Sequence, residues 1–346
     1  MLLKIPTSHL NKLFAAISAE NTLYLPLEKN GLVEFGQWSP DSTVRLDTLN
    51  TIRSPKDFFF LPSEDIAAFK MQQQEISIKD AQIPNQPFVV FGMRVCDAES
   101  LNLLDKIFLS EPTDTFYQAR RQNGIIITAA CFKPAESCFC GVFDINALSP
   151  GGDIATILIG DTLYWQSLTE RGQQLTAKLQ SLLEQTNNED EEAIKQQQTA
   201  AQNIFAKLPF NNLNLAGFIP EVLMEKFNSE QWAELYPGCL ACGTCTFICP
   251  TCHCYDIQDF NTGSEIKRTR CWDSCMYADF TLMAHGNPRT NKLQRFRQRY
   301  MHKLIYFPDQ NKGAYACVGC GRCVQKCPIG MNIVKVIKAW GVDSNV

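Results

Sequence analysis

Hydrophobic positions in the first half of the chain follow two patterns that alternate. Phe88–Val95 and Gly124–Ala130 are continuous apolar runs of strand length. Asp97 follows the first run as a candidate helix N-cap, and apolar residues then recur at helical spacing. These residues are Leu101, Leu104, Ile107 and Phe108. Two shorter strands are predicted at Ile154–Ile159 and Leu163–Trp165.

Strands that are apolar on both faces and alternate with helices are typical of a sheet covered by helices on both sides. We therefore predict an α/β domain with a mixed or mainly parallel sheet over residues 1–166. From Ser167 to Lys207 the composition shifts to Gln, Glu, Lys and Ala. Leucines at heptad-like spacing there favour two exposed helices, with a flexible linker as the alternative. They are Leu175, Leu179, Leu182 and Leu183.

Cysteine density rises from Tyr236 onward, which indicates a separate C-terminal unit. The predicted organisation is thus an α/β domain (1–166), a helical connector (167–220) and a cysteine-rich domain (221–346). The last of these contains an insertion at 251–316.

The composition, with 45% hydrophobic and 20% charged residues, is that of a folded protein and not of a disordered or coiled-coil chain. A formal net charge of −4 gives no general attraction to nucleic acid or anionic lipid. No apolar run approaches the roughly 18 residues that crossing a bilayer requires, so we expect no membrane span. Pro6 and Lys12 interrupt the N-terminal stretch, where we expect an amphipathic helix and not a signal peptide.

Sixteen cysteines are the main chemical feature of the sequence. A chain this long can build a hydrophobic core without disulfides, so we expect a cytoplasmic protein in which the cysteines bind metal.

The pattern C-x2-C-x2-C-x3-C-P occurs twice. It is a bacterial [4Fe–4S] pattern, in which three closely spaced thiolates hold one cluster and the fourth cysteine holds the other. Two-residue spacers let the chain curl around a cluster, and Gly243, Gly319 and Gly321 permit tight turns that aim N–H groups at sulfur. The copies are Cys239, Cys242, Cys245 and Cys249, followed by Pro250, and Cys317, Cys320, Cys323 and Cys327, followed by Pro328.

This crossed rule predicts two ligand sets and hence two [4Fe–4S] clusters in a bacterial-ferredoxin-like α+β domain. We call Cys239, Cys242, Cys245 and Cys327 the first site. We call Cys249, Cys317, Cys320 and Cys323 the second site. The alternative, structural zinc, usually shows separated C-x2-C pairs.

A third cluster is left open by the cysteines of the first half. Cys96 and Cys131 each close an apolar strand, so parallel strands would place both at the carboxyl edge of the sheet, where α/β folds build sites. We call Cys96, Cys131, Cys138 and Cys140 the third site. The alternative is that these are ordinary buried free cysteines.

The insertion 251–316 is expected to be helical. Its Cys252, Cys254 and Cys275 are alternative ligands for a third cluster. Its basic residues predict docking of an acidic partner or shielding of cluster charge, unless they only form a solvated face. These residues are Arg289, Lys292, Arg295, Arg297, Arg299, His302 and Lys303.

The sequence contains no G-x-G-x-x-G after a strand, no P-loop and no H-E-x-x-H or G-x-S-x-G motif, so no nucleotide site or hydrolytic centre is indicated.

The chain resembles one protein family over roughly residues 89–333. The segments that carry the resemblance are MRVCDAESLNLLD and CFC in the first half, and CLACGTCTFICPTCHCYD, CWDSCM, FTLMAHGNPR, RFRQRYMHK and CVGCGRCVQKCP in the second. The members of that family are iron–sulfur electron-transfer subunits. They include the β chain of sulfhydrogenases and the A subunit of anaerobic sulfite reductases. Cys271 lies outside the cysteine pattern of the family.

The resemblance implies an electron-transfer subunit of a cytoplasmic redox complex, with no substrate bond broken in this chain. Its expected partners are a flavin subunit that oxidises NAD(P)H and a catalytic subunit, either a nickel–iron hydrogenase or a sirohaem sulfite reductase. NPR and RFRQRYMHK favour the hydrogenase type. The alternative from another class is that the α/β domain is itself catalytic and binds a flavin or substrate near Cys96 and Cys131.

Overall fold

The structure is a computed structural model and describes residues 1–72, 75–80, 83 and 85–340. Its strands are, in chain order, β1 (Leu2–Pro6), β2 (Thr22–Lys29), β3 (Leu32–Gln37), β4 (Ser63–Gln72), β5 (Glu75–Asp80), β6 (Phe88–Arg94), β7 (Gly124–Ala129), β8 (Ile154–Ile159), β9 (Thr162–Ser167), β10 (Glu184–Gln185), β11 (Tyr255–Asn261) and β12 (Ile266–Trp272).

The helices of the described residues are, in chain order, α1 (Leu10–Ser18), α2 (Val95–Phe108), α3 (Thr115–Asn123), α4 (Glu170–Lys178), α5 (Asn188–Phe205), α6 (Leu223–Asn228), α7 (Gln231–Leu235), α8 (Thr244–Phe247), α9 (Lys292–Met301), α10 (Phe307–Gln310), α11 (Arg322–Lys326) and α12 (Ile333–Trp340). A π-helical turn, His302–Tyr306, joins α9 to α10. None of these helices is long and apolar enough to span a bilayer.

The first half is built on an eight-stranded mixed sheet with the order β10-β1-β9-β8-β7-β6-β2-β3. Its central strands β2, β6, β7 and β8 run parallel, whereas the flanking pairs β2–β3, β8–β9, β1–β9 and β1–β10 are antiparallel. Two of those antiparallel pairs are hairpins with two-residue turns, which cannot join parallel strands. The α/β prediction is confirmed in its mixed form.

Both faces of the central strands are buried. In β6, Val89 and Phe91 belong to a core that also contains residues of α1 and α4, whereas Phe88 and Val90 pack with α2 and α3 on the other face. A strand with helices on both sides must be apolar at every position, which is why FVVF carries no polar residue.

Helix α2 begins earlier than its predicted cap. Arg94 occupies the N-cap position, and Asp97 lies inside the first turn. The Asp97 carboxylate instead accepts two hydrogen bonds from Arg322, at 2.6 and 2.8 Å, and both side chains are 2% exposed. This ion pair joins the start of α2 to the second cysteine motif.

Two helices occupy the predicted connector, but they pack on the sheet. Leu175 and Leu179, on and just after α4, belong to the first core, and Ala201 of α5 is buried against Ala130 and Leu148. Strand β10 pairs with β1 at the sheet edge. The connector is therefore continuous with the α/β layer, while the domain limits themselves remain a prediction.

The insertion is helical only in its second half, so the prediction of a helical insertion is wrong for its first part. Strands β11 and β12 form a hairpin, and β12 pairs with β4 in a four-stranded sheet of order β11-β12-β4-β5. Alternating apolar residues such as Tyr255 and Ile257 and the turn at Gly263 are strand and turn signals that the cysteine and basic residues obscured. The hairpin binds the insertion to the first half of the chain.

A buried ion network secures that attachment. Glu64 of β4 contacts both Arg120 of α3, at 2.7 Å, and Arg270 of β12, and all three side chains are at most 6% exposed. Arg270 also pairs with Asp114, the N-cap of α3. Charges buried together are stable only while every partner is present.

We predict that Glu64→Gln lowers the free energy of unfolding by about 3–5 kcal/mol, because it leaves the buried guanidinium of Arg120 without its carboxylate and leaves Arg270 with Asp114 alone. The neighbouring Asp65→Asn is the matched control, since the Asp65–Lys267 pair is over 40% exposed on both sides and should contribute less than about 1 kcal/mol. Denaturant unfolding under anaerobic conditions measures both, and equal effects would contradict the role assigned to Glu64.

Candidate metal centres

The two cysteine motifs fold as a repeated turn. Ala241 and Gly243 in the first motif have φ values of 54° and 74°, and Gly319 and Gly321 at the equivalent positions have 58° and 78°. The short helices α8 and α11 begin directly after the second of these residues in each motif. Left-handed residues at both positions let three successive cysteines turn towards one point.

Thiols from both motifs line each of two cavities. The first cavity is lined by the four cysteines of the first site, together with apolar and aromatic side chains such as Met276 and Tyr300. The second cavity is lined by the four cysteines of the second site, with Thr251, Arg299 and Lys303. The chain thus groups the eight thiols in the crossed sets named from the sequence, and their service as ligands remains a prediction.

A third cavity lies at the carboxyl edge of the parallel strands. Its wall contains all four cysteines of the third site: Cys96 in the first turn of α2, Cys131 after β7, and Cys138 and Cys140 in the loop that follows. Gly319 and Cys320 line it as well, so this cavity and the second one share Cys320. The structure brings together the four thiols that the sequence left as scattered candidates.

Close backbone contact holds the second and third sites together. A Cβ atom on Gly319 would lie 2.4 Å from the Phe139 carbonyl oxygen, and one on Gly321 would lie 2.7 Å from that of Ser137. The Phe139 N–H donates to the Gly319 carbonyl at 2.9 Å. Only glycine allows the second motif to approach the loop that carries Cys138 and Cys140 so closely.

The alternative ligands lie elsewhere. Cys252 contacts the thiol of Cys249 in the second site, whereas Cys254 and Cys275 contact each other, and none of the three lines the third cavity. Cys271 in β12 lies 3.4 Å from the Ser63 hydroxyl. In the described part of the chain, no group of three or more His, Cys, Asp or Glu side chains is arranged to hold a metal ion.

The four thiols that line each cavity bear on the choice between zinc and clusters. A structural zinc ion needs four ligands that converge within about 2.3 Å of one point. A cluster keeps its cysteine sulfurs apart around a cavity, and soft thiolates are the donors that iron–sulfur clusters use. Sets of four thiols around a cavity therefore fit [4Fe–4S] clusters.

Burial raises the pKa of most of these thiols. The pKa of Cys317 and that of Cys138 are raised to about 12, and that of Cys140 to about 11. The exposed Cys242 is different, because a hydrogen bond with Thr244 lowers its pKa. Buried thiols of this kind become thiolates when a metal coordinates them.

Three buried cations face the second site. Lys56, Arg299 and Lys303 are 2%, 3% and 4% exposed. Lys56 Nζ donates to the carbonyls of Cys249 and Cys252 at 2.8 and 2.7 Å. Within the described residues none of the three forms an ion pair with a carboxylate. The sequence identified Arg299 and Lys303 only as members of a basic stretch, and it did not identify Lys56, whose position depends on the fold.

Arg94 occupies a similar position at the third site. Its guanidinium donates to the carbonyls of Leu46, Thr48, Leu49 and Ala130 and pairs with no carboxylate in the described chain. Arg94 lines the third cavity beside Cys96 and Cys131. Sequence reasoning did not identify this residue either.

Comparison with known proteins gives two matches. The family described as 4Fe-4S dicluster domain matches residues 238–331. The chain is also similar to sulfhydrogenase 2 subunit beta of Pyrococcus furiosus, with 32% identity over 336 residues that cover 96% of each chain. No solved structure matches.

The crossed grouping predicts which cluster a variant loses. Cys249→Ala should remove the electron paramagnetic resonance (EPR) signal and iron that Cys320→Ala removes, because both residues line the second cavity. It should spare the signal that Cys242→Ala removes, although Cys242 belongs to the same motif. Cys271→Ala is the matched control and should keep full iron content. A Cys249→Ala spectrum identical to that of Cys242→Ala would contradict the crossed grouping.

Proposed function

This chain belongs to the iron–sulfur subunit family of the sulfhydrogenase β chain, and we propose that it relays single electrons within a hydrogenase-type complex. In this proposal electrons come from a flavin subunit that oxidises NAD(P)H and pass to a nickel–iron catalytic subunit. When bound, a [4Fe–4S] cluster accepts and releases one electron at a time.

The observation that carries the proposal is the continuity of the three sites. Arg299 lines both the first and second cavities, and Cys320 lines both the second and third. Neighbouring redox sites separated by single side chains form a path along which an electron can pass. The three sites thus form a row in which the third site lies at the α/β sheet, the second site in the middle and the first site in the cysteine-rich domain.

The first site is the end of this row at which a partner can approach. Cys242 is exposed, and Leu240 and Ile329 beside it are 62% and 38% exposed. The thiols of the second site lie deeper, enclosed by both motifs and by α9. We propose that electrons leave or enter the chain through the first site.

We also propose that the third site holds a third cluster. Neutral thiols can be buried without a partner, but the half-buried Arg94 lines the same cavity and pairs with no carboxylate among the described residues, so negative charge at the third site would balance its own charge. Four thiolates on a cluster would supply the missing negative charge. Cys252, Cys254 and Cys275 are then left outside the relay.

A second candidate function has its own structural support. A cavity of about 480 Å³ adjoins the third site and is lined by Arg94, Lys133 and Asp47. This size is within the range of about 300–1,000 Å³ that is usual for small-molecule sites. A flavin or an anionic substrate bound there would make the α/β domain catalytic, which is the alternative to a pure relay.

Anaerobic purification of the native complex tests the proposed function. The expected result is co-purification with a nickel-containing hydrogenase and with a flavin subunit, measured by protein identification and by assays of iron, nickel, sirohaem and flavin. Sirohaem in place of nickel would assign the chain to a sulfite reductase complex. Stoichiometric flavin on the isolated chain, with NAD(P)H oxidation, would contradict the pure relay.

The third cluster is tested by removing its thiols. The double variant Cys138→Ala and Cys140→Ala should lower the iron content by the amount that one [4Fe–4S] cluster contains, while the EPR signals assigned through Cys242→Ala and Cys323→Ala persist. Cys254→Ala combined with Cys275→Ala is the matched control, since it removes two neighbouring buried thiols outside the third cavity. Unchanged iron in the first variant would show that these cysteines are free.

A further inference from the structure

Lys303 is positioned by an unusual stretch of backbone. It lies in the π-helical turn His302–Tyr306, which follows α9 and interrupts the α-helical pattern. Turns of this type are rare, occur mostly as single-turn interruptions of α-helices, and are frequent at functional sites. The turn directs the side chain of Lys303 into the protein, on the same side as Arg299 one helical turn earlier.

The ammonium group of Lys303 uses all three of its donors on the second site and the backbone around it. Nζ lies 3.4 Å from Cys249 Sγ, 2.8 Å from Thr251 Oγ1 and 2.8 Å from the Ala316 carbonyl oxygen. Ala316 directly precedes Cys317. This one cation therefore contacts the ligand from the first motif, Cys249, and the backbone beside a ligand from the second motif. A lysine has three donors and no acceptor, so none is left for another partner.

Two further cations strengthen the field at the same place. Arg299 donates to Cys252 Sγ at 3.5 Å and to the Cys245 carbonyl at 2.7 Å. Lys56 approaches from the first half of the chain and holds the carbonyls of Cys249 and Cys252. The first site is lined by Arg299 alone among these cations, and the third site by Arg94.

We infer that Lys303 sets the reduction potential of the second site and makes that site easier to reduce than it would otherwise be. This inference rests on the proposed function, since it requires a cluster at Cys249, Cys317, Cys320 and Cys323. Reduction adds one electron, which the proposed flavin partner supplies, and increases the negative charge at the site by one. A buried cation that donates to a ligand sulfur stabilises the added charge, because net charge and hydrogen bonds to sulfur are what set such potentials.

The experiment is an EPR-monitored redox titration, with dithionite as reductant, of the full chain purified anaerobically. The signal of the second site is identified as the one lost in Cys323→Ala, because Cys323 lines the second cavity and not the third. The Lys303→Met variant removes the charge but keeps a side chain of similar length. The equilibrium constant for reducing this site should fall at least about tenfold, which is a negative shift of its reduction potential by about 59 mV for one electron. The signal of the first site in the same sample should shift less.

Two variants separate charge from packing. Lys303→Arg retains the charge and should restore a potential close to that of the parent chain. Lys326→Met is the matched control, because Lys326 lies in α11 next to the second motif's last cysteine but is exposed, so water should screen its charge. Its titration should coincide with that of the parent.

An unchanged reduction potential of the second site in Lys303→Met overturns the inference. A shift in Lys326→Met as large as that in Lys303→Met overturns it as well. Should Lys303→Met lose the cluster, Lys56→Met provides the same titration with a smaller negative shift expected. Loss of the cluster in both, with retention in Lys303→Arg, would show that the charge holds the cluster and does not set its potential. A parent chain without any cluster signal would instead refute the proposed function.

Discussion

Cations buried beside cysteines, which pair with no carboxylate among the residues that the structure describes, are the constraint on which the cysteine-rich part of this protein depends. Lys56, Arg299 and Lys303 donate to carbonyls, a hydroxyl and thiol sulfurs. Burial lowers the pKa of Lys56, whereas the pKa of Lys303 is raised because negative charge on Cys249 and Cys252 more than offsets the effect of burial. Such a group of charges is stable only around an anion, and thiolates bound to iron are an anion that these cavities can hold.

The insertion brings two of these cations, Arg299 and Lys303, to the second site. Without it the second site would keep Lys56, from the first half of the chain, and Arg322, whose charge is already matched by Asp97. The hairpin β11–β12 fixes the start of the insertion to β4 and to the ion network of Glu64, and α9 with its π-helical turn then places Arg299 and Lys303 in the wall of the second cavity. The basic stretch therefore serves in part to balance charge inside the protein, which explains why Arg299 and Lys303 are buried and not displayed for an acidic partner.

Local signals in the sequence were enough to predict the strands β6 and β7, the helix α2 and the crossed grouping of eight cysteines, because each depends on spacing within a short segment. The hairpin β11–β12 was predicted as helix, since its partner strand β4 lies almost two hundred residues away in sequence and carries no distinctive pattern. The convergence of Cys96, Cys131, Cys138 and Cys140 could only be suggested, because it depends on sheet register and on glycines of the second motif. Lys56 and Arg94 carried no signal at all, since a lysine or arginine is normally exposed and only the fold shows that these are not.

The distribution of charge also explains how one chain can contain sites of different character. An added electron costs most where water is excluded, and Cys320 of the second site is buried, whereas Cys242 of the first site meets solvent. Without compensation, the middle site would be harder to reduce than the first site, which would hinder transfer along the row. In the proposed relay, Lys56, Arg299 and Lys303 at the middle site offset this difference. The proposal therefore gives these buried cations a role in electron transfer beside that of the cysteines.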